Sequence, residues 1–242
     1  MQLQLAQLRL TVFWFKFLNL LILLMPRPKK SKRLDVDVIA FDWDGTLFNN
    51  VNASYETNRG LLKRYTGRDL GFNEWQAMAA KCTDLISFCA MNGIKESPQK
   101  LEEEFYGLYG EACEANVPSL FRDTECALRE LRELGVKLSI LSNSHICEDE
   151  IGAFGIRGYF SFIHKGAKDK TLALRELSRR YVLPAARIAY VDDIPAGIQH
   201  AKDAGVVSIG RLGGYVRDYY MRMAKPDYTI RELKELPAML RV

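Results

Sequence analysis

The chain has 242 residues, 48% of them hydrophobic and 26% charged. That globular balance excludes a disordered or fibrous protein and leaves room for one large domain or a core with a smaller companion. The net charge of +4 is unevenly placed: residues 1–33 hold seven Lys/Arg and no Asp/Glu, so the rest carries 27 basic and 30 acidic groups, a net of −3. A near-neutral body behind a basic tail gives no reason to expect a nucleic-acid groove.

Residues 12–25 are strongly apolar but contain Lys16 and Asn19. The stretch is shorter than the ~20 apolar residues of a spanning helix, and no small-residue cleavage site precedes Pro26. The basic run 27–33 could sit on acidic lipid headgroups, giving residues 1–33 a weak membrane-surface contact. The other reading is a dispensable extension upstream of a start at Met25.

From Val36 the pattern alternates. Apolar, β-branched runs at 36–41, 136–141, 187–191 and 206–209 predict short buried parallel strands. Helical periodicity lies between them at 124–134, 170–180 and 195–204, the last opening on Pro195. This is the pattern of a Rossmann-like, doubly wound α/β sheet. Residues 49–120 break it, with helical runs at 54–65, 73–80, 83–91 and 98–115 and no convincing strand. We therefore expect an all-helical cap at 49–120 inserted into a core of 34–48 and 121–242. Cys82, Cys89, Cys113, Cys126 and Cys147 form no C-x-x-C pair, and their odd number suits reduced thiols in a cytoplasmic protein.

The notable polar residues fall at the carboxyl ends of the expected strands, where open α/β sheets bind ligands. They are Asp42 and Asp44 after the first, Ser142 and Asn143 after the second, and Asp192 and Asp193 after the third. Several carboxylates at one edge repel each other unless a cation joins them. An all-oxygen donor set suits Mg²⁺ completed by water and a substrate phosphate. His145, His164 and His200 have no metal-site spacing; His200 falls in mid-helix, and only His145 comes near the site.

The run Phe41-Asp42-Trp43-Asp44-Gly45-Thr46-Leu47-Phe48 resembles the D-x-D-G-T-L signature of the haloacid dehalogenase-like superfamily. Leu141-Ser142-Asn143 is similar to its second signature, and Val191-Asp192-Asp193 to its fourth. Lys170 fits the third best, with Lys168 the alternative. Asp227-Tyr228-Thr229-Ile230, with Leu233 and Leu236, resembles the closing segment of phosphoglycolate phosphatase-like members.

The resemblance implies phosphoryl transfer to Asp42 as nucleophile, with Asp44 as general acid and base. Ser142, Asn143 and Lys170 would bind the phosphoryl group, and Asp42, Asp44, Asp192 and Asp193 would hold Mg²⁺. It also implies a helical cap and a small phosphorylated metabolite as substrate. Many members place a further Asp a turn beyond the first of the acidic pair; this chain has Ala196 there, so Asp193 is expected to supply the second acidic group. Asp44 separates the chain from haloacid dehalogenases and phosphonatases, which lack an acid there, and from P-type ATPases, which carry Thr. A β-phosphoglucomutase-type mutase and a non-enzymatic scaffold are the alternatives; the complete set of acidic, Ser and Lys residues argues against the scaffold. Neither substrate identity nor oligomeric state is set by these motifs.

Overall fold

The computed structural model describes residues 33–82 and 84–241. The expectations for residues 12–25 and for the basic run, all but Arg33, lie outside them. Among the described residues no helix is long and apolar enough to cross a membrane.

The chain enters the fold through β1 (Val38–Phe41), four fully buried apolar residues, and β2 (Phe48–Asn49) follows a tight turn. Four helices come next: α1 (Val51–Thr66), α2 (Phe72–Ala79), α3 (Leu85–Met91) and α4 (Pro98–Ala115). β3 (Ser119–Leu120) brings the chain back. Then helix and strand alternate: α5 (Thr124–Glu133), β4 (Lys137–Leu141), α6 (Cys147–Ala153), β5 (Phe160–His164), α7 (Lys170–Tyr181) and β6 (Ile188–Asp192). The last elements are α8 (Pro195–Ala204), β7 (Val207–Arg211), α9 (Asp218–Met223), β8 (Tyr228–Ile230) and α10 (Glu235–Arg241).

Six strands form one parallel sheet in the order β5-β4-β1-β6-β7-β8, the doubly wound α/β class expected. On one face α7 and α8 pack their Leu174, Leu177 and Ala201 against Val38, Ala40, Ile188 and Tyr190. The alternation of side chains puts Ile39 and Phe41 on the opposite face, toward which α5 presents the buried Leu128 and Leu131 beside β4. Register fixes the site: Phe41 is level with Ile140 on β4 and with Val191 on β6. Asp42, Asp192 and the residues after β4 therefore leave the sheet side by side.

Two sheet strands go beyond the sequence reading. β5 has one buried residue and four partly or fully exposed ones, so it is neither a continuous apolar run nor a clean alternation. β8, at three residues, is too short for any period. The insert is helical as expected, but its ends are not strand-free: β2 and β3 pair antiparallel, Phe48 with Leu120 and Asn49 with Ser119. Two-residue strands carry no periodic signal. The insert has its own apolar cluster, including Leu61, Leu62, Trp75, Phe88 and Leu101, with α1 packed along α4. All five cysteines are free.

Candidate active site

The turn after β1 builds the first part of the site. The amides of Thr46, Leu47 and Phe48 all donate to the carbonyl of Trp43, at 3.3, 3.0 and 3.0 Å. Gly45 sits at φ +74°, and a Cβ there would collide with Asp193 and the ring of Tyr215. Only glycine permits both the left-handed backbone and that approach. Trp43 is fully buried, stacks on Phe48 at 5.1 Å and donates from Nε1 to Glu150 Oε2 at 2.7 Å.

Asp42 and Lys170 meet at the centre. Lys170, the first residue of α7, is buried; its Nζ lies 2.6 Å from Asp42 Oδ1 and 3.2 Å from Asp192 Oδ2. Lys168 is exposed and lines the cavity above, whereas Lys170 is the lysine in contact with Asp42. Both oxygens of Asp192 are oriented: Tyr190 Oη donates to Oδ2 at 2.8 Å and the Ile194 amide to Oδ1 at 2.9 Å. Asp193 accepts from the Tyr215 amide at 2.5 Å and from Thr46 Oγ1 at 3.3 Å.

Oxygens of Asp42, Asp192 and Asp193 lie within 4.8 Å of one another, all three residues buried. Burial, the largest cause, pushes the Asp42 carboxyl up to about 7 despite the pull of Lys170, with Asp192 and Asp44 adding repulsion. Asp193 is pushed up to about 8, by burial first and then by Asp192 and Asp42. Lys170 is held above its usual value: burial works to lower it, and Asp192 and Asp42 outweigh that. One ammonium among three crowded carboxylates leaves negative charge uncompensated. A hard cation with oxygen ligands fits this donor set.

Asp44 stands apart from that triplet, although the sequence reading placed it among the metal ligands. Its Oδ1 accepts from Asn50 Nδ2 at 2.7 Å, so the side chain turns toward the insert. Burial, then the charge of Glu150, raises its carboxyl to about 7, a value suited to proton exchange near neutrality. Asn50 Nδ2 also reaches Tyr109 Oη on α4 at 3.0 Å, and Tyr215 Oη donates to Asn50 Oδ1 at 2.9 Å. Ser54 and Tyr215 share a hydrogen bond at 2.7 Å. Sequence reasoning missed Asn50, Tyr109, Tyr190 and Tyr215: Asn50, Tyr109 and Tyr215 meet from segments far apart in sequence, and Tyr190, two residues before Asp192, reads as one more buried residue of β6.

Ser142 is fully buried just past β4, its Oγ accepting from the Ser144 amide at 3.0 Å. Asn143 and His145 line the cavity above. His164 ends β5, and His200 is in α8, its Nδ1 2.8 Å from Thr171 Oγ1. Gly197 packs directly on the site: a Cβ there would overlap the Asp192 carboxylate, so glycine lets α8 approach Asp192 this closely.

Comparison with known proteins agrees with this geometry. Residues 36–205 match the haloacid dehalogenase-like hydrolase family. The chain belongs to the haloacid dehalogenase-like hydrolase family. A phosphoglycolate phosphatase from Vibrio parahaemolyticus is 25% identical over 222 residues, spanning 84% of this chain and 95% of the relative. Two solved structures show the same fold. One is described as a predicted phosphoglycolate phosphatase from Haemophilus somnus, with TM-score 0.68, 20% identity, and 85% and 98% of the two chains covered. The other is a haloacid dehalogenase-like family hydrolase from Streptococcus pneumoniae, with TM-score 0.67, 18% identity, and 84% and 98% covered.

Proposed function

We propose that this chain, a haloacid dehalogenase-like phosphatase, hydrolyses a small phosphomonoester in two steps through a phosphorylated Asp42. The observation that carries the reading is the convergence of Asp42, Lys170, Asp192 and Asp193 at one strand edge, with the separately held Asp44 beside them. Asp42, Asp192 and Asp193 would hold Mg²⁺. Bound there, the ion would offset the repulsion between a carboxylate and a phosphate dianion.

The side chains divide the remaining work. Asp42 Oδ attacks phosphorus, and the bond from phosphorus to the leaving oxygen breaks as Asp44 gives that oxygen a proton. Asp44, now ionised, takes a proton from the water that attacks the aspartyl phosphate, releasing inorganic phosphate and restoring Asp42. Lys170 and Ser142 bind phosphoryl oxygens, and Asn143 lies beside them. Asp192 acts on Lys170, holding its ammonium against Asp42. Asn50 aims Asp44, and through Tyr109 it connects the acid/base group to the helical insert. Residues 49–120 serve as a cap over a core of 34–48 and 121–242, and residues 1–25 are dispensable for turnover. The free thiols support a cytoplasmic setting.

Rapid-quench labelling with a ³²P-labelled ester tests this. The expected result is acid-stable, hydroxylamine-sensitive label on the peptide carrying Asp42, formed with Mg²⁺ and abolished by EDTA. Ca²⁺ should support turnover poorly because its larger, looser shell misplaces the nucleophile. Label on Ser142 or a histidine, or unimpaired turnover in EDTA, overturns the mechanism.

A further inference from the structure

The cavity above Asp42 and Asp44 has a volume of about 320 Å³. Its floor, on the core side, carries charges of both signs; its ceiling, from the insert, is mainly aromatic and aliphatic, and the charge it has is negative. Trp75, Phe88, Phe105, Tyr106 and Tyr109 line it from the insert, with Leu85 and Ile86 beside them. Among the described residues, no Lys, Arg or His of the insert lines the cavity, and its charged contributors there are Asp84 and Glu102.

The insert does contain arginines, but they are committed elsewhere. Arg59 pairs with Asp69 and Glu56, Arg64 with Glu104 and Arg68 with Glu74. On the floor, Lys170 is held by Asp42 and Asp192, and the other Lys and His that line the cavity, the exposed Lys168 and His145, also belong to the core side and not to the insert's wall. The neutral polar groups nearest Asp44 are also occupied, since Asn50, Ser54, Tyr109 and Tyr215 bond to each other and to Asp44. A carboxylate or second phosphate on the leaving alcohol would enter an aromatic wall flanked by acids, desolvated and without a cation from the insert. An apolar body would gain there, by burial and by ring contacts.

We infer that the enzyme's preferred leaving group is an apolar, non-anionic alcohol, aromatic or branched, and that phosphoglycolate and sugar bisphosphates are disfavoured. This rests on the phosphatase reading and names the substrate class for the same site. It also parts this chain from what its relatives' names say of them, and it follows from the insert's wall while the catalytic floor is left as described.

Two primary alkyl esters, 2-phenylethyl phosphate and phosphoglycolate, compare body against body in the full-length protein with Mg²⁺. The expected kcat/KM ratio favours 2-phenylethyl phosphate by at least about tenfold, the scale of apolar pocket discrimination. Tyr106→Arg, at an exposed position on the cavity wall, should lower that ratio and raise turnover of phosphoglycolate. Equal rates, or a preference for phosphoglycolate in the unaltered protein, overturn the inference.

Acetyl phosphate, too small to use the aromatic wall, reports the chemistry alone. If it and both alkyl esters are inert, the phosphatase reading fails. Calorimetric affinities of the two esters for Asp42→Asn then decide the inference by themselves: tighter 2-phenylethyl phosphate upholds it, and equal or reversed affinities overturn it.

Discussion

The floor and the ceiling of the cavity are built on opposite principles. The floor is rigid and charged: β1, β4 and β6 end level with one another, and Asp42, Ser142 and Asp192 are carried to fixed places by sheet register. The ceiling is four helices around an apolar cluster of their own, joined to the floor by few polar links. In the floor, a residue's identity and its place after a strand are enough to state its chemistry. In the ceiling, function lies in which side of each helix faces inward, and that is decided only when helices pack. Chemistry and selectivity can therefore be altered separately.

The sharpest break between the two halves is expected at the paired aspartates. Asp42→Asn removes the nucleophile and should cut turnover on the order of 10⁴-fold or more for every ester, whatever its leaving group. Asp44→Asn should cost about 10²–10⁴-fold. With 4-nitrophenyl phosphate, whose leaving group needs no proton, that variant should accumulate phosphoenzyme, because only the second step still needs Asp44. Rapid-quench labelling of both variants checks this, and equal losses for all esters in Asp44→Asn would tell against an acid role.

The next effect probes how tightly the floor is built. At an ordinary helix position, Gly→Ala stabilises by about 0.4–1 kcal/mol. Gly197→Ala should do the opposite, destabilising by about 1–3 kcal/mol as overpacked sites do, because its Cβ overlaps the Asp192 carboxylate. Denaturant unfolding measures the first part. A simultaneous fall in kcat, from displacement of Asp192 and so of Lys170, measures the second.

A smaller effect tests the link between the halves. Tyr109→Phe deletes the hydroxyl that accepts from Asn50 at 3.0 Å. About 1 kcal/mol of lost hydrogen bonding corresponds to roughly fivefold in rate. The loss should be seen in kcat/KM for 2-phenylethyl phosphate and be weak for acetyl phosphate; equal losses would place Tyr109 in the chemistry itself.

The smallest effect lies at the end of the sheet opposite the cavity, where β1 and β6 begin. Arg187 donates from Nε and Nη2 to Asp37 at 2.8 and 2.7 Å, with the side chains 33% and 43% exposed. The hydrogen bond from Arg187 holds the Asp37 carboxyl below its usual value. A lowered acid contributes stability above its unfolded-state value and loses it as pH falls through the folded one. Asp37→Asn should therefore cost less than about 1 kcal/mol near neutrality, and nothing once the pH is low enough to protonate Asp37. Activity should be unchanged, and thermal melts at both pH values are the check.

Much of the floor was legible because β1, β4, β6 and β7 are buried on both faces and so read as short apolar runs. Asp42, Asp44, Ser142, Asp192 and Asp193 then stand out as the polar residues that end or follow them. Lys170 could be preferred over Lys168 from the helical pattern it opens, and its 2.6 Å contact with Asp42 adds an observation that sequence alone does not offer. Gly197 was illegible: a residue without a side chain announces nothing, and its meaning comes from the carboxylate packed against it. Asn50, Tyr109 and Tyr215 were hidden for another reason, since they meet across sequence gaps of 59 and 165 residues. α6 escaped notice because it is acidic and seven residues long, with only Cys147 and Ile151 buried.

The two-residue ribbon of β2 and β3 has a consequence for how such a protein can change over evolutionary time. The chain leaves the sheet-bearing body and re-enters it at neighbouring points, stitched by Phe48 opposite Leu120 and Asn49 opposite Ser119. Whatever is spliced between those stitches need not alter the spacing of β1 or of the strands that follow. Helices there can be lengthened, shortened or exchanged while the strands beneath keep their register, so long as the Asn50 contact that aims Asp44 is kept. The ribbon makes the upper half a replaceable cassette, so that one reaction can be offered to successive families of molecules by rewriting the same seventy or so residues.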